Sequence, residues 1–252
     1  TRRPLLAKGI EFILGTTRTL VRWATHEGYL PAAAEDAFAH VGRQHRASPT
    51  LSSGPIRTDE VIALIQVADA YQLALFAGHI FHGARVAEPC WVMMEFVDGP
   101  EGWIEYRCIE ELGYRTKGGT NKRLPIPAVM MQALTLVMKG RAGGPIILKR
   151  RLVVGEASLP ERRRTFQDLV KTVERQSPAN WSQRVSAGIA GLEQAGGIDG
   201  DTVRREFGRM VRKAGLRSDL GPKSLRHHFA TALERADVPY YTQIAGVGEW
   251  RP

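Results

Sequence analysis

The chain has 252 residues, long enough for one large domain or two small ones, and 43% of them are hydrophobic, so a sizeable core can form. Lys and Arg number 35 against 26 Asp and Glu, and the formal net charge of +9 favours polyanions such as nucleic acid over acidic or neutral partners. The two cysteines exclude a disulfide scaffold and a paired-cysteine zinc site, and no apolar run reaches the roughly 18 residues that span a bilayer, so the composition predicts a soluble protein of a reducing cytoplasm.

The first fifty residues carry two helical patterns and a linker. Apolar residues recur at helical spacing from Gly9 to Gly28 and predict an amphipathic helix that ends at Gly28 and Pro31. A second, shorter helical pattern covers 32–41, and residues 43–55 are polar and rich in Ser, Gly and Pro, as is typical of a linker. We therefore predict a domain boundary near residue 50.

The next part of the chain mixes helices with a small β unit. Thr58 reads as the N-cap of a helix that continues to Val67, and a more apolar helix is expected over 71–82. A helical turn is expected over 85–88, and Pro89 is expected to interrupt it. Strand and turn signals between 95 and 127 predict a small antiparallel hairpin unit.

The second half of the chain is predicted to be mostly helical. Residues 128–138 form one helix, and 150–197 read as helix and loop. A firmer helix starts at an Asp-Thr cap at 201–202 and stops at Gly215, and its surface is crowded with basic residues. The last full helix is expected over 224–236.

Three segments hold basic residues in settings more specific than a charged surface. Residues 83–88 read Gly-Ala-Arg-Val-Ala-Glu, in which Glu88 is spaced to orient the Arg85 guanidinium through an i,i+3 pair. Lys117 stands at the Gly-rich turn of the predicted hairpin. Lys223 and Arg226 lie three residues apart at a predicted helix start, where backbone N–H groups and the helix dipole also favour a phosphate.

Each segment also has an ordinary structural interpretation: a helix ion pair, a solubilising edge lysine, and a solvated helix start. Other signals are weaker still. The adjacent His227 and His228 cannot both face one metal ion from a helix, and neither a Gly-x-Ser-x-Gly elbow nor a Walker phosphate loop is present. The sequence therefore does not support a metal site, a serine hydrolase or a nucleotide-binding protein.

Taken in chain order, the three segments resemble the catalytic domain of the tyrosine recombinases, the phage-type integrase family. Residues 83–88 resemble the family's Gly-Leu-Arg-Ile-Ser-Glu box, and 116–127 resemble its Thr-Lys-x-Gly hairpin with the Val-Pro-Leu-Pro exit. Residues 223–231, Lys-Ser-Leu-Arg-His-His-Phe-Ala-Thr, resemble the His-x-Leu-Arg-His-Thr-Phe-Ala-Thr box. The resemblance runs from about Leu51 to the end, and 17–31 resemble the last helix of the family's DNA core-binding domain.

The resemblance implies an α+β fold, namely a mostly helical catalytic domain with a small antiparallel β-sheet, preceded by the end of a helical core-binding domain. We expect the C-terminal part of the core-binding domain and the linker over 1–50. The catalytic domain is expected over 51–252, truncated before its nucleophile.

The resemblance also implies a mechanism without metal or cofactor. A Tyr would attack the scissile phosphodiester of double-stranded DNA, leaving a 3′-phosphotyrosyl bond and a free 5′-hydroxyl. Arg85 and Arg226 would hold the phosphate oxygens, Lys117 would act as general acid, and Lys223 would replace the usual His. DNA contacts are also expected from four basic residues: Arg204, Arg205, Arg209 and His227.

The chain departs from the family pattern near its end. An ungapped run from Arg226 places Glu249 where the family has His or Trp, and a shift by one residue brings in Trp250. The nucleophile should follow by roughly nine residues, beyond Pro252. Tyr240 and Tyr241 lie too close to Arg226, so we expect this stretch by itself to be inactive.

Three functions remain open from the sequence. The first is a site-specific recombinase of mobile-element or phage origin, nucleoid-associated in a prokaryotic or phage-like setting and assembled with other protomers of itself. The second is a degenerate relative that binds DNA without cutting it, suggested by Lys223 and Glu249. The third is a type IB topoisomerase, which shares the mechanism.

Overall fold

The computed structural model describes residues 7–36, 55–138, 140–154 and 164–238. The chain divides into two compact units, Thr1–Gly54 and Pro55–Pro252. In the first unit, helix α1 spans Ala7–His26, and the chain then turns at Gly28, whose φ of 77° is left-handed. The rings of Trp23 and Tyr29 lie 5.7 Å apart across this turn. The predicted amphipathic helix is confirmed within the described residues.

The second unit is built mainly from helices. In chain order they are α2 Thr58–Val67, α3 Ala70–His82, α4 Ala128–Met138, α5 Arg150–Val153, α6 Phe166–Arg175, α7 Trp181–Gln194, α8 Gly200–Lys213 and α9 Pro222–Arg235. Short 3₁₀ helices occur at Glu88–Trp91, Met94–Phe96 and Glu110–Leu112.

A small antiparallel sheet lies between α3 and α4 in the chain. Its strands are β1 Val97–Asp98, β2 Trp103–Tyr106 and β3 Lys122–Pro125, in the spatial order β1-β2-β3. The register pairs Tyr106 with Lys122 and Trp103 with Pro125. Because side chains alternate along a strand, β3 turns Lys122 and Leu124 inward and exposes Arg123 and Pro125.

Helix α3 forms the centre of the main core. Its apolar side chains Leu75 and Phe76 are fully buried, and the Phe76 ring meets Phe207 of α8 edge to face at 5.5 Å. Helices α4, α8 and α9 all pack against α3. A second cluster, which includes Leu112 and Leu169, fills the space between α6, α7 and the nearby 3₁₀ helix. The predicted α+β class, mostly helical with a small antiparallel sheet, is confirmed.

Several predicted details differ from the structure, among them the last helix, which spans Pro222–Arg235 and not 224–236. Thr58 is the first helical residue and Arg57 occupies the N-cap, where its N–H donates to Glu60 at 2.8 Å. Helix α8 is capped by Asp199, whose side chain accepts from the Thr202 N–H at 2.7 Å. Pro89 does not interrupt a helix. It lies in the first turn of a 3₁₀ helix, where a missing N–H costs nothing.

Among the described residues, no helix combines the length and the apolar character needed to cross a membrane.

Candidate functional site

The site begins where α3 ends. Gly83 adopts a left-handed φ of 56°, so the helix stops there and the chain turns away. Arg85 follows in non-helical backbone, which corrects the predicted helical turn at 85–88. Its side chain remains 32% exposed. The backbone of Arg85 is therefore held at the end of α3, and its side chain is accessible to a ligand.

Glu88 holds Arg85 at two points. Its Oε2 accepts the backbone N–H of Arg85 at 2.7 Å, and its Oε1 accepts from Arg85 Nη1 at 3.1 Å. Burial alone would raise the pKa of Glu88, but the charges of Lys122 and Arg85 outweigh it and the pKa lies below its usual value. The carboxylate is therefore ionised, and the predicted pairing of Glu88 with Arg85 is confirmed.

Lys122 is a member of this cluster that the sequence analysis missed. Its Nζ donates to Glu88 Oε1 at 2.7 Å, and its side chain is only 3% exposed. Burial lowers the pKa of Lys122, the Glu88 carboxylate opposes that change, and the charges of Arg85 and Arg226 reinforce it. The signal that could have identified Lys122 is the period of β3, which places it in phase with the buried Leu124.

Arg226 reaches the same place from α9. Its Nη1 donates to the carbonyl oxygen of Gly83, two residues before Arg85. Burial lowers the pKa of Arg226 and the charge of Arg85 lowers it further, while Glu88 acts in the opposite direction. One turn later on α9, the Phe229 ring packs so closely on Gly83 that an added Cβ would lie 2.5 Å from Cδ1. Gly83 is thus needed both for its φ and for this approach.

A buried histidine ties the sheet to the end of α3. His82 Nε2 lies 2.8 Å from the Pro125 carbonyl oxygen, which can only accept, so Nε2 carries the proton. Its Nδ1 then accepts from the Tyr106 hydroxyl at 3.0 Å. Burial lowers the pKa of His82 and raises that of Tyr106, so both remain neutral in this pair.

Lys117 lies apart from the buried cluster. It is exposed on the turn between β2 and β3, where Thr116 Oγ1 donates to the Thr120 carbonyl at 2.7 Å and Gly119 has a left-handed φ of 68°. The contacts of Arg85 and Arg226 described above run instead to Glu88 and Gly83. The predicted turn is confirmed.

The other predicted cations lie on α8 and α9. Lys223 and His227 are exposed near the start of α9. On α8, Arg204 pairs with Asp201 and Arg205 donates to Thr202, and both guanidinium groups remain at the surface.

Arg209 is tied more firmly than its neighbours on α8. Its guanidinium pairs with Glu206, whose side chain is only 4% exposed and which also accepts from Arg150 at 2.9 Å and from Gln72 at 3.0 Å. Arg209 is thus bound into a network that joins α3, α5 and α8. Glu249 and Trp250 lie outside the described residues.

Only the comparison with solved structures finds proteins that are similar to this chain. No protein-family model and no curated protein matches the chain. The Tn1549 transposon integrase in complex with circular intermediate DNA aligns over 98% of this chain and 73% of that one, at 16% identity and a TM-score of 0.61. A lambda integrase dimer bound to a COC′ core site aligns over 98% and 76%, at 16% identity and 0.56. The XerA recombinase aligns over 99% and 77%, at 18% identity and 0.51.

The chain has the tyrosine recombinase fold. Within this recombinase fold, two of the three motifs meet directly, since Arg226 of the third contacts Gly83 of the first. The hairpin motif joins them through Lys122. Within the described residues, Arg85, Lys122 and Arg226 therefore cluster around the carboxylate of Glu88.

Proposed function

We propose that the chain is the catalytic part of a site-specific DNA recombinase that breaks and rejoins DNA through a 3′-phosphotyrosyl intermediate. The observation that carries the proposal is the convergence of Arg85 and Arg226 on the turn that ends α3. Lys122 is a third cation of the same cluster, and Glu88 is the carboxylate that these cations share within the described residues. Like charges brought together at a half-buried site repel one another, so an anion is the natural ligand. A phosphodiester fits that requirement.

In this proposal, the two arginines act on the transition state. A Tyr hydroxyl releases its proton to water, its oxygen attacks the phosphorus atom, and a phosphorane with additional negative charge forms. Arg85 and Arg226 stabilise that charge, which is worth roughly a few kcal/mol for each preorganised donor. Lys117 gives its proton to the 5′ oxygen as the P–O bond breaks, and the Tyr keeps the 3′-phosphoryl group. Rejoining is the reverse reaction.

The remaining assignments belong to the same proposal. Lys223 supplies positive charge at the start of α9, and Trp250 or Glu249 fills the position that has His or Trp in the family. Residues 51–252 form the catalytic domain and 1–50 the end of a core-binding domain. No metal or cofactor takes part.

The expected partners are double-stranded DNA and further copies of the protein. Support comes from the Tn1549 integrase, whose structure contains circular intermediate DNA, and from the lambda integrase, seen as a dimer on a core site. The net charge of +9 is suited to a polyanion. Exposed Arg204, Arg205 and His227 are assigned to DNA contacts together with Arg209.

The second candidate is a relative that binds DNA and does not cleave it. The observation that favours it is Lys223 in place of the family's His, because an ordinary lysine is a poor proton acceptor near pH 7. Binding without a covalent adduct would support this candidate.

A trapping experiment separates the two. The full product of the gene would select its site from a pool of randomised duplexes, and a nicked suicide duplex of that sequence would then capture the covalent adduct. Adduct formation supports the recombinase, and tight binding without adduct supports the second candidate. If affinity for duplexes does not fall steeply with salt, both candidates fail.

The arginine assignment has its own control. Arg226→Ala should abolish adduct formation and retain most DNA binding. Arg235→Ala removes the same charge from the exposed end of the same helix and should leave the adduct rate unchanged. Equal rates for the two variants would contradict the role given to Arg226.

A further inference from the structure

The cluster around Glu88 contains a buried cation that the proposed mechanism does not use. Lys122 begins β3 with its side chain 3% exposed and its Nζ 2.7 Å from Glu88 Oε1. Lysine is almost never buried so completely unless it is paired, because removing an ammonium group from water is costly. A methionine of similar length would fill the same space without that cost. The charge of Lys122 therefore needs a reason beyond packing.

The contacts of Glu88 supply that reason. Its Oε1 is shared by Arg85 Nη1 and Lys122 Nζ, while its Oε2 accepts the Arg85 backbone N–H. Rotation of the carboxylate would break a buried, charge-assisted hydrogen bond. Lys122 thus fixes the orientation of the group that fixes Arg85.

Lys122 is itself held by rigid elements. It pairs in register with Tyr106 on β2, and the Tyr106 hydroxyl and the Pro125 carbonyl both bind His82 at the end of α3. The strand that carries Lys122 is therefore anchored to the same helix end from which Arg85 emerges. Lys117, five residues earlier, stands instead on an exposed turn.

We propose that Lys122 is a positioning residue for phosphoryl transfer, which acts through Glu88 to hold the Arg85 guanidinium against the scissile phosphate. The inference rests on the proposed function. Lys122 touches neither the attacking nor the leaving oxygen, and the proton for the leaving group comes from Lys117.

The first test is the adduct rate of Lys122→Met in the full gene product, measured in a single turnover on the nicked duplex selected by the unaltered protein. We expect a loss of about a hundredfold, the size of effect that follows when a catalytic group is displaced by about 1 Å. Binding of the same duplex should change less than about twofold, since the lysine is buried and makes no DNA contact. Lys122→Arg should recover part of the rate, and Lys171→Met, at an exposed position on α6, should have no effect.

A sulfur-substituted duplex identifies the step that is affected. If the 5′ bridging oxygen is replaced by sulfur, the leaving group is a thiolate, which departs without a proton because its pKa is far below that of an alcohol. Lys117→Ala should then regain its rate, and Lys122→Met should not. If sulfur restores Lys122→Met as well, Lys122 is the proton donor and the proposal is overturned.

A double variant separates positioning from folding. Lys122→Met by itself leaves Glu88 with one partner fewer, so the thermal midpoint should fall. Glu88→Gln with Lys122→Met removes both buried charges, and the midpoint should return towards that of the unaltered protein while the adduct rate stays low. Recovery of both quantities would overturn the inference.

The failures can be told apart. Lack of adduct from the unaltered protein overturns the proposed function and this inference with it. A normal rate for Lys122→Met, beside a normal adduct from the unaltered protein, overturns only the inference.

Discussion

Replacing Gly83 by alanine tests the junction at which the two arginine segments meet. Gly83 ends α3 with a left-handed φ of 56°, and its carbonyl oxygen accepts from Arg226. The Phe229 ring lies against its α-carbon, so a Cβ would be 2.5 Å from Cδ1. The substitution therefore introduces two separate costs.

The magnitude follows from these costs. An alanine in the left-handed region costs about 1–2 kcal/mol. Displacing a packed ring by several tenths of an ångström costs a further ~1–3 kcal/mol. We expect the free energy of unfolding to fall by about 2–5 kcal/mol in total. The Arg226 hydrogen bond should weaken as well, because the shifted ring and α9 move away from the Gly83 carbonyl.

The assay is urea denaturation followed by circular dichroism, with Gly215→Ala as the matched control. Gly215 also follows a helix and has a left-handed φ of 64°, but no atom lies within 4 Å of its added Cβ. It should lose only the backbone cost of about 1–2 kcal/mol. The difference between the variants measures the contact with Phe229.

A double-mutant cycle completes the test. In a Phe229→Ala background the Cγ and Cδ1 atoms are absent, so Gly83→Ala should cost no more than Gly215→Ala. If Gly83→Ala and Gly215→Ala are equally destabilising in the otherwise unaltered protein, that result contradicts the close contact between Gly83 and the Phe229 ring.

Three further outcomes are expected. Burial lowers the pKa of His79 from 6.5 to about 4, and the Leu75 carbonyl and the Glu88 charge offset only part of that change. As the pH falls, the imidazole is therefore protonated in the unfolded chain before it is protonated in the folded protein. The free energy of unfolding should drop by up to about 3 kcal/mol between pH 6.5 and 4 on this account, and His79→Leu should flatten that part of the profile. Gly188→Ala should be strongly destabilising because its Cβ would overlap a backbone carbonyl oxygen of the neighbouring 3₁₀ helix, whereas Gly191→Ala on the same helix meets nothing closer than 3.9 Å and should be neutral or stabilising, as thermal unfolding would reveal. Tyr106→Phe leaves a buried histidine nitrogen without its donor and should cost about 1–3 kcal/mol in urea denaturation, and an unchanged stability would contradict the hydrogen bond between Tyr106 and His82.

Much of the fold could be predicted from the sequence because local patterns carry it. Helical periodicity predicted α4 over 128–138, the range that the structure gives it. Gly-rich turn chemistry predicted the β2–β3 turn. The predicted helix boundaries were wrong where packing decides between two neighbouring N-cap residues. At the start of α8, for example, the N-cap is Asp199 and not Asp201.

The candidate site also has one part that the sequence predicted and one part that depends on packing. Arg85, Glu88 and Arg226 could be singled out because each lies in a short motif whose residues are close together in sequence. The pairing of Arg85 with Glu88 needed only a separation of three residues. The contact of Arg226 with Gly83 could not follow from sequence, since it depends on α9 packing across the end of α3.

Lys122 shows most clearly what was decided by tertiary structure. A lysine beside a hairpin turn is ordinarily an exposed residue. The period of β3 places Lys122 in phase with Leu124, but the period by itself does not say which face of the strand is buried. Only the sheet register, with Tyr106 opposite and Leu124 in phase, turns its side chain towards Glu88. The sequence by itself determined which residue types are available and where helices form, because those depend on neighbours in the chain. Which cations are buried together was decided by the tertiary structure, because burial depends on elements that are distant in sequence and meet only in the fold.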